Sequence, residues 1–437
     1  MDQIALLLVL GMLCSLLPMS HLVMLSVTGV MLADTNLVPH KFIYFSRFLP
    51  IGILFLRVVI ATSRQEQLQQ TASLIKHWTP FLVLAGLSVL YSVQPVVSLQ
   101  RVLSGIFVVI GFGIAMPLMF PIFDEVLVMV RRLALLMAVA VLAGLWFLAG
   151  TLGGGETEVT RLSGVFTNPN TLGLLGMQVI FLLLYWWQRE RRRFVGKILF
   201  GAVVVCAITI IASGSRASTL GAIIGLFVYV WGKARIEGRT LPAVYIFLTV
   251  VVSSVLITSI YFPQLFAGLL RSDTSDRLYL WQRAWTLAEG HRLLGLGFGG
   301  SDPLFAQDGI ANRAQGIYVS GAHSSLMRLV VELGLLGTGL ALIAFGTLLV
   351  RSWKMLQQGD HGLLRVALLA VTVASLIDSL FEGWLFGFGS GSTIPFWFCF
   401  ALLCYQTDRA AHSAFLPAKI ILQRRRLRKA SLPHPSS

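Results

Sequence analysis

Charged residues are scarce in this sequence, at 12% of 437 residues, whereas soluble domains carry roughly 25%. Hydrophobic residues make up 56% instead. These two values exclude an ordinary soluble domain and indicate a polytopic membrane protein. The net charge of +15 comes from basic residues dispersed between apolar runs. It therefore does not indicate a nucleic-acid-binding surface, and we expect no nucleic-acid partner.

Cysteine is scarce as well, and all four cysteines lie in apolar segments. This excludes a disulfide framework or a cysteine-based zinc cluster. No two histidines have a ligand spacing such as His-x-x-x-His, and no P-loop or dinucleotide-binding glycine motif is present. We therefore expect neither a metal nor a cofactor. The first residues lack a basic segment before the apolar run, so we expect no cleavable signal peptide.

Long apolar runs are abundant, and a membrane-spanning helix needs about 20 apolar residues. We predict an all-α polytopic membrane protein with about twelve spanning helices and one long loop that contains short helices. The predicted spans are 4–33, 42–62, 78–92, 101–122, 133–150, 171–187, 196–212, 217–232, 241–262, 324–350, 363–386 and 393–407. The first run contains Pro18 and alternatively forms a hairpin, which would invert everything after it.

The distribution of Lys and Arg decides between these topologies. With a single first span and both termini inside, the basic clusters at 188–193 and 423–429 lie on the inner side, as the positive-inside rule requires. The predicted organisation is then nine spans in 1–262, a long outer loop 263–323, three spans in 324–407 and a basic inner tail 408–437.

The long outer loop has a helical period of its own. Leu278, Trp281, Trp285 and Ala288 predict an amphipathic helix on the membrane interface, capped by Ser275 or Asp276. Glycines between 295 and 300 then allow close backbone approach or a mobile turn. A loop of this length is often a lid or a wall of a binding site.

His323 lies where this loop ends and the tenth predicted span begins. Ser324 or Ser325 can cap the helix, because a serine oxygen accepts from the first free backbone N–H groups. The positive end of the helix dipole favours the neutral imidazole that a general base needs. On spacing alone, an ordinary loop histidine fits better than a catalytic one.

Arginines inside or beside the spans need a reason, because an intramembrane charge costs about 2.5–3.5 kcal/mol or more at the bilayer centre. Arg161 and Arg216 are predicted on the same outer side as His323. Their planar guanidinium groups match phosphate oxygens, which favours a lipid-linked phosphate as ligand. Arg47 falls in the second span, where snorkelling or a structural ion pair is an equal alternative, and Arg328 falls in the tenth.

Two acidic residues, Asp378 and Glu382, are predicted one turn apart in the outer half of the eleventh span. An acidic group inside a span is costly, so its presence suggests a functional role. Either the two carboxylates orient His323 or they pair with an intramembrane arginine, and both alternatives stay open.

Three motifs, taken in this order, resemble the O-antigen ligase family. They are Arg161 followed by Gly164-x-Phe166-x-Asn168-Pro169-Asn170, the Arg-x3-Leu motif Arg216 to Leu220, and His323-Ser324 with Gly334-x-x-Gly337 nine residues later. The stretch Leu294-Gly295-Leu296-Gly297 also fits. The order, the number of spans and the position of the long loop agree with the family over nearly the whole chain.

The resemblance implies an O-antigen ligase in the inner membrane of a Gram-negative bacterium. Such a glycosyltransferase would move O-antigen from undecaprenyl diphosphate to a lipid A–core sugar on the periplasmic side, without metal or nucleotide sugar. On this basis we predict His323 and Arg216 as catalytic. Arg161, Arg216 and Arg47 would bind the diphosphate, with support from Asn168, Asn170, Ser324, Arg328 and Asp378.

The mechanism predicted from this resemblance is a one-step displacement that inverts the anomeric carbon, with His323 as general base. Alternatively, His323 binds the diphosphate as imidazolium. The rival functions are an O-antigen polymerase, whose acceptor is another lipid-linked glycan, and a protein O-oligosaccharyltransferase. A lipid-linked glycan flippase is less favoured, since it predicts basic residues spread across the depth of the membrane.

Overall fold

The structure is a computed structural model that describes residues 72–119, 123–146, 161–166, 168–239, 274–301, 304–305, 322–358, 361–388 and 393–415. Its long elements in these ranges are all helices. They are α1 (Ala72–Ser88), α2 (Pro95–Met119), α3 (Phe123–Trp146), α4 (Pro169–Glu190), α5 (Phe194–Ala212), α6 (Arg216–Glu237), α7 (Thr274–Leu287), α8 (Ser325–Lys354), α9 (Gly362–Ser379) and α10 (Thr393–Phe415). Among them, α2, α4, α5, α6, α8 and α9 are long and apolar enough to cross a membrane.

Three predicted spans, 4–33, 42–62 and 241–262, lie outside the described residues, and so does Arg47. Each of the other predicted spans coincides with one helix, although the ends differ by several residues. The described part of the chain therefore confirms an all-helical membrane protein. The count of twelve spans, the long outer loop and the domain boundaries stay predictions.

Helices α4 and α9 form the centre of the bundle. In the most apolar stretch of each helix, 78% of α4 and 72% of α9 are buried, against 28% of α5. Helix α5 therefore lies at the periphery, where its apolar side chains can face lipid. Helix α6 crosses α9 closely, because a Cβ atom at Gly221 would lie 2.6 Å from the carbonyl oxygen of Ala374. Small residues allow such close helix packing in membranes.

Helix α8 is interrupted at Gly334, whose φ of 65° and ψ of −168° are not helical. Residues 291–297, here called the docking segment, fill the interruption. Four backbone hydrogen bonds join them to α8: Leu296 N–H to Val331 O (2.9 Å), Gly297 N–H to Glu332 O (2.9 Å), Leu335 N–H to Arg292 O (2.7 Å) and Leu336 N–H to Leu293 O (3.2 Å). Backbone groups freed by the break are thereby paired from outside the helix, as a membrane environment requires.

Glycine makes this approach of two backbones possible. A Cβ atom at Gly334 would lie 2.3 Å from the carbonyl carbon of Leu293, and one at Gly295 would lie 2.4 Å from the carbonyl carbon of Glu332. Both glycines also have positive φ. The sequence left close approach and a mobile turn open for the loop glycines, and at Gly295 the backbone approach is what the structure has.

The helix predicted in the long loop is present as α7. It begins at Thr274, so Ser275 and Asp276 lie in its first turn, and the prediction that one of them caps it is wrong. Leu280 and Ala284 of α7 pack with Ala322 and Val331 into a small second core. Helix α7 thus covers the start of α8.

Helix α9 ends at Ser379, earlier than the predicted span 363–386. The apolar residues that follow form turns, because the first turn of α8 holds their backbone. Ser325 Oγ donates to the carbonyl of Glu382 (2.8 Å), and Arg328 Nη1 donates to the carbonyl of Gly383 (3.0 Å). Glu382 therefore lies in a loop beyond the helix and not within a span, which corrects its predicted position.

Candidate functional site

A cavity of about 250 Å³ lies where the first turns of α4 and α8 meet the loop after α9. We call it the His323 cavity. It brings together residues from three distant parts of the sequence. The predicted site residues on its wall are Asn168, Asn170, His323, Ser324, Arg328 and Asp378. Glu382, Gly383 and Trp384 add polar and aromatic groups from the loop after α9.

His323 precedes the cap of α8 in a left-handed conformation. Its φ of 45° is the only positive value among the described non-glycine residues, and this region costs a residue with a Cβ atom roughly 1–2 kcal/mol. Ser324 is the cap, as predicted, because its Oγ accepts from the N–H of Met327 at 3.3 Å. The half-buried imidazole therefore lies on the cavity wall beside the positive end of a helix.

Arg161 is connected to the cavity through Asn170. Its Nη2 donates to Asn170 Oδ1, and its Nε donates to the carbonyl of Ser213 at 3.0 Å. Asn170 Nδ2 in turn donates to Glu382 Oε1 at 2.8 Å. Arg161 is exposed and does not itself line the cavity, but this chain of hydrogen bonds joins it to Glu382.

Asn168 caps α4, so the helix begins two residues before the predicted span 171–187. The Oδ1 atom of Asn168 accepts from the N–H of Asn170 at 2.8 Å. Pro169 takes the first helical position, where a missing N–H is harmless. Asn170 consequently lies in the first turn, within reach of both Arg161 and Glu382.

Asp378 is fully buried near the end of α9. Its Oδ2 accepts from Ser218 Oγ at 2.7 Å, and its Oδ1 accepts from Trp384 Nε1 at 2.7 Å. The first bond joins α9 to α6, and the second joins α9 to the loop that follows it. The two predicted roles, orientation of His323 and pairing with an arginine, stay predictions.

Arg216 is the first residue of α6, directly after its cap Ser215. It does not line the His323 cavity. Within the described residues its guanidinium makes no hydrogen bond or ion pair. The same end of α6 still reaches the site, because Ser218 donates to Asp378.

Three helices begin at this end of the bundle, with caps at Asn168, Ser215 and Ser324. Helix N-termini carry partial positive charge and bind phosphate and other anions. Arg161 and Arg328 add full positive charges near the cavity. The site thus offers cationic groups, a base and carboxylates within one small volume, which suits a ligand with an anionic part and hydroxyl groups.

Glu332 is a site residue that the sequence analysis missed. It is fully buried on α8, and its Oε1 accepts from Arg328 Nε (3.1 Å), Arg101 Nη1 (3.2 Å) and Ser301 Oγ (2.6 Å). A signal was available in the sequence. Glu332 is four residues after Arg328, the spacing at which helical side chains meet, and it is an acidic group in a predicted span.

Among the described residues, no three or more His, Cys, Asp or Glu side chains are arranged to hold a metal ion. Independence from metal stays a prediction, which a chelator can test.

Comparison with known families gives a match over residues 201–342, to the family described as O-antigen ligase. This part of the chain is similar to O-antigen ligases, which confirms the resemblance drawn from the motifs. The matched residues include Arg216, the docking segment, His323 and Glu332, while the Arg161 motif lies outside them. The match supports a membrane enzyme of the ligase or polymerase type, with a glycan donor and acceptor. No curated protein matches the chain significantly.

Proposed function

We propose that the protein transfers O-antigen polysaccharide from undecaprenyl diphosphate to a sugar of the lipid A–core, at the periplasmic face of the inner membrane. The family match supports glycan transfer. One observation carries the proposal: His323 and Arg328 share a cavity wall at the end of the bundle where α4 and α8 begin. A base for the acceptor and positive charge for a leaving diphosphate are thus side by side.

The proposed reaction is a direct displacement. An acceptor hydroxyl oxygen attacks the anomeric carbon of the donor and forms the new glycosidic bond. The bond from that carbon to the diphosphate oxygen breaks, and undecaprenyl diphosphate leaves with the electron pair. His323 accepts the hydroxyl proton, a contribution of roughly 10²–10⁴-fold to the rate. This single step inverts the anomeric configuration, so a product that retains it would contradict the scheme.

The diphosphate is proposed to bind Arg161, Arg216 and Arg47. Arg161 is supported by its hydrogen bond to Asn170 on the cavity wall, and Arg216 by its place at the start of α6. Arg47 rests on the sequence alone. Together with the helix N-termini, these cations would stabilise the charge that develops on the leaving group, as a metal ion does in other enzymes.

A second role for His323, as an imidazolium that binds the diphosphate, makes an opposite prediction about pH. A general base must be neutral, so the rate of transfer would rise as the imidazole loses its proton. An imidazolium that binds the diphosphate would lose its positive charge over the same pH range, so the rate of transfer would fall as the pH rises.

The proposed function is tested by reconstituted transfer. Unaltered protein and the variants His323→Ala and Arg216→Ala receive undecaprenyl-diphosphate O-antigen and lipid A–core in the presence of EDTA, and products are separated on a gel. We expect transfer by the unaltered protein and its loss in both variants. Arg193→Ala serves as the control, because Arg193 is exposed and pairs only with the neighbouring Glu190 within the described residues.

The other outcomes of this experiment point to the rival functions. Growth of the donor chain without transfer to lipid A–core would indicate a polymerase. Transfer to an added periplasmic protein would indicate an oligosaccharyltransferase. Movement of the donor across the membrane without a new bond would indicate a flippase, and loss of transfer with EDTA would contradict the metal-free scheme.

A further inference from the structure

We propose that Glu332 is a positioning residue. It fixes the guanidinium of Arg328 at the wall of the His323 cavity, and the docking segment in turn fixes Glu332. The inference rests on the proposed function, because it gives Arg328 a role in binding the donor diphosphate. Neither the family match nor the three motifs assigns a role to Glu332.

The first argument is the environment of the Glu332 carboxylate. Its side chain is 0% exposed, while those of Arg328 and Arg101 are 12% and 18% exposed. A single oxygen, Oε1, accepts from both guanidinium groups and from Ser301. A buried carboxylate without a cation is strongly unfavourable, so Glu332 keeps both arginines at this place.

The second argument is the geometry of Arg328. Nε donates to Glu332 at 3.1 Å, and Nη1 donates to the carbonyl of Gly383 at 3.0 Å. Two anchors on different atoms of a planar group fix its plane as well as its position. Arg328 also lines the His323 cavity. Glu332 therefore determines how a positive charge is presented to the ligand.

The third argument is that the docking segment and the residues just after it hold Glu332. Its carbonyl accepts from Gly297 N–H at 2.9 Å, and its carboxylate accepts from Ser301 Oγ at 2.6 Å. A Cβ atom at Gly299 would lie 2.9 Å from Arg101 Cδ, so this stretch also packs on the second arginine. The position of the loop is thus transmitted through Glu332 to Arg328.

Asp408 of α10 provides a matched control, because it pairs with Arg351 at the other end of α8. It pairs with Arg351 at 2.8 Å and accepts from Ser73 Oγ at 2.6 Å, so it resembles Glu332 in its partners. It does not line the His323 cavity. A purely structural ion pair predicts the same behaviour for both carboxylates, whereas a positioning role predicts an effect on the donor for Glu332 alone.

The test compares Glu332→Gln, Arg328→Lys, the double variant and Asp408→Asn in reconstituted transfer. We expect each single change at the Glu332–Arg328 pair to raise the donor KM about tenfold, since hydrogen bonds to charged groups are the stronger class. The double variant should be no worse than Arg328→Lys, because Glu332 acts through Arg328. Asp408→Asn should keep the donor KM of the unaltered protein, and the acceptor KM should stay unchanged throughout.

Binding of undecaprenyl diphosphate without glycan, measured by native mass spectrometry, separates the two proposals. Unaltered protein that neither transfers nor binds it refutes the proposed function. Transfer with an unchanged donor KM in Glu332→Gln, or additive losses in the double variant, overturns the positioning role alone.

If Glu332→Gln does not fold, Ser301→Ala replaces it, since it removes one neutral donor to the same oxygen. Its donor KM should rise about threefold, and an unchanged value would overturn the role.

Discussion

At the scale of single residues, the backbone of His323 separates two effects of a substitution. At a φ of 45°, alanine loses the imidazole and keeps the strain, whereas glycine loses the imidazole and removes the strain. We expect both variants to lower transfer by roughly 10²–10⁴-fold. His323→Gly should unfold at the same temperature as the unaltered protein or higher. Reconstituted transfer and thermal unfolding in detergent measure the two effects independently.

Asparagine is a further control at this position. It tolerates left-handed backbone and still forms hydrogen bonds, but it cannot accept the proton at neutral pH. Transfer by His323→Asn at nearly the unaltered rate would refute the general-base role.

The carboxylate of Asp378 accepts one hydrogen bond from Ser218 and one from Trp384. In Asp378→Asn, the remaining oxygen must accept from Trp384, because an indole N–H only donates. The new NH₂ group then faces Ser218, whose hydroxyl has to turn and accept. We expect a loss of about 1–3 kcal/mol in the free energy of unfolding, together with reduced transfer. Normal transfer by Asp378→Asn at normal expression would remove Asp378 from the site. The variant Ser218→Ala removes only one donor to Asp378 and should have the smaller effect.

At the scale of elements, two glycines of α8 make a matched pair. Gly334 lies in the break, in a region of φ and ψ that is essentially restricted to glycine. Gly339 lies in regular helix with open space around a Cβ atom. We expect Gly334→Ala to destabilise the protein by at least about 1–3 kcal/mol and to abolish transfer. Gly339→Ala should be neutral or stabilising by about 0.5–1 kcal/mol, as read from thermal unfolding. Equal unfolding temperatures for the two variants would contradict the observed break.

The sequence predicts a helix well when the residues that stabilise it, such as an apolar run or a cap, lie within or next to the helix. Apolar runs and a local cap such as Ser324 indicate where α8 begins, and α5 and α6 are separated where the predicted spans 196–212 and 217–232 leave a gap. The interruption of α8 at Gly334 and the end of α9 at Ser379 depend on partners far away in the sequence. A run of apolar residues looks the same whether its backbone is bonded to itself or to another segment.

The site residues show the same difference between local patterns, which the sequence reveals, and distant partners, which it does not. The motifs identify His323, Ser324, Asn168 and Asn170, and all four line one cavity. The bonds of Asn170 to Arg161 and Glu382 cannot be read from spacing. The sequence does not reveal the full set of partners of Glu332, because Arg101 is more than two hundred positions away and because the apolar residues around Glu332 indicate only a span.

At the scale of the whole molecule, the bundle has two chemically different ends. The part of α8 after the break at Gly334, residues 335–354, measures about 30 Å at a rise of 1.5 Å per residue, which is about the thickness of the hydrocarbon core of a bilayer. The His323 cavity is at one end, and Arg351 with Asp408 at the other. The exposed Arg191, Arg192 and Arg193 lie between α4 and α5, at the end away from the cavity.

Labelling of introduced cysteines tests which end faces outward. We expect Glu289→Cys, near the cavity end, to react with a membrane-impermeant maleimide in cells with a permeabilised outer membrane. Arg192→Cys should react only after lysis. The background is Cys14→Ser, since Cys206, Cys399 and Cys404 are buried. The reverse pattern would indicate thirteen spans and the hairpin in the first apolar run.

The break in α8 also bears on how the protein is made. The part of α8 after Gly334 is apolar and can enter the bilayer as an ordinary helix during synthesis. The part before it, with Arg328 and Glu332, obtains its outside backbone partners only when the docking segment returns to it. Insertion of the apolar part therefore does not by itself complete α8. The half of the helix that carries Arg328 and Glu332 is complete only when the docking segment is in place.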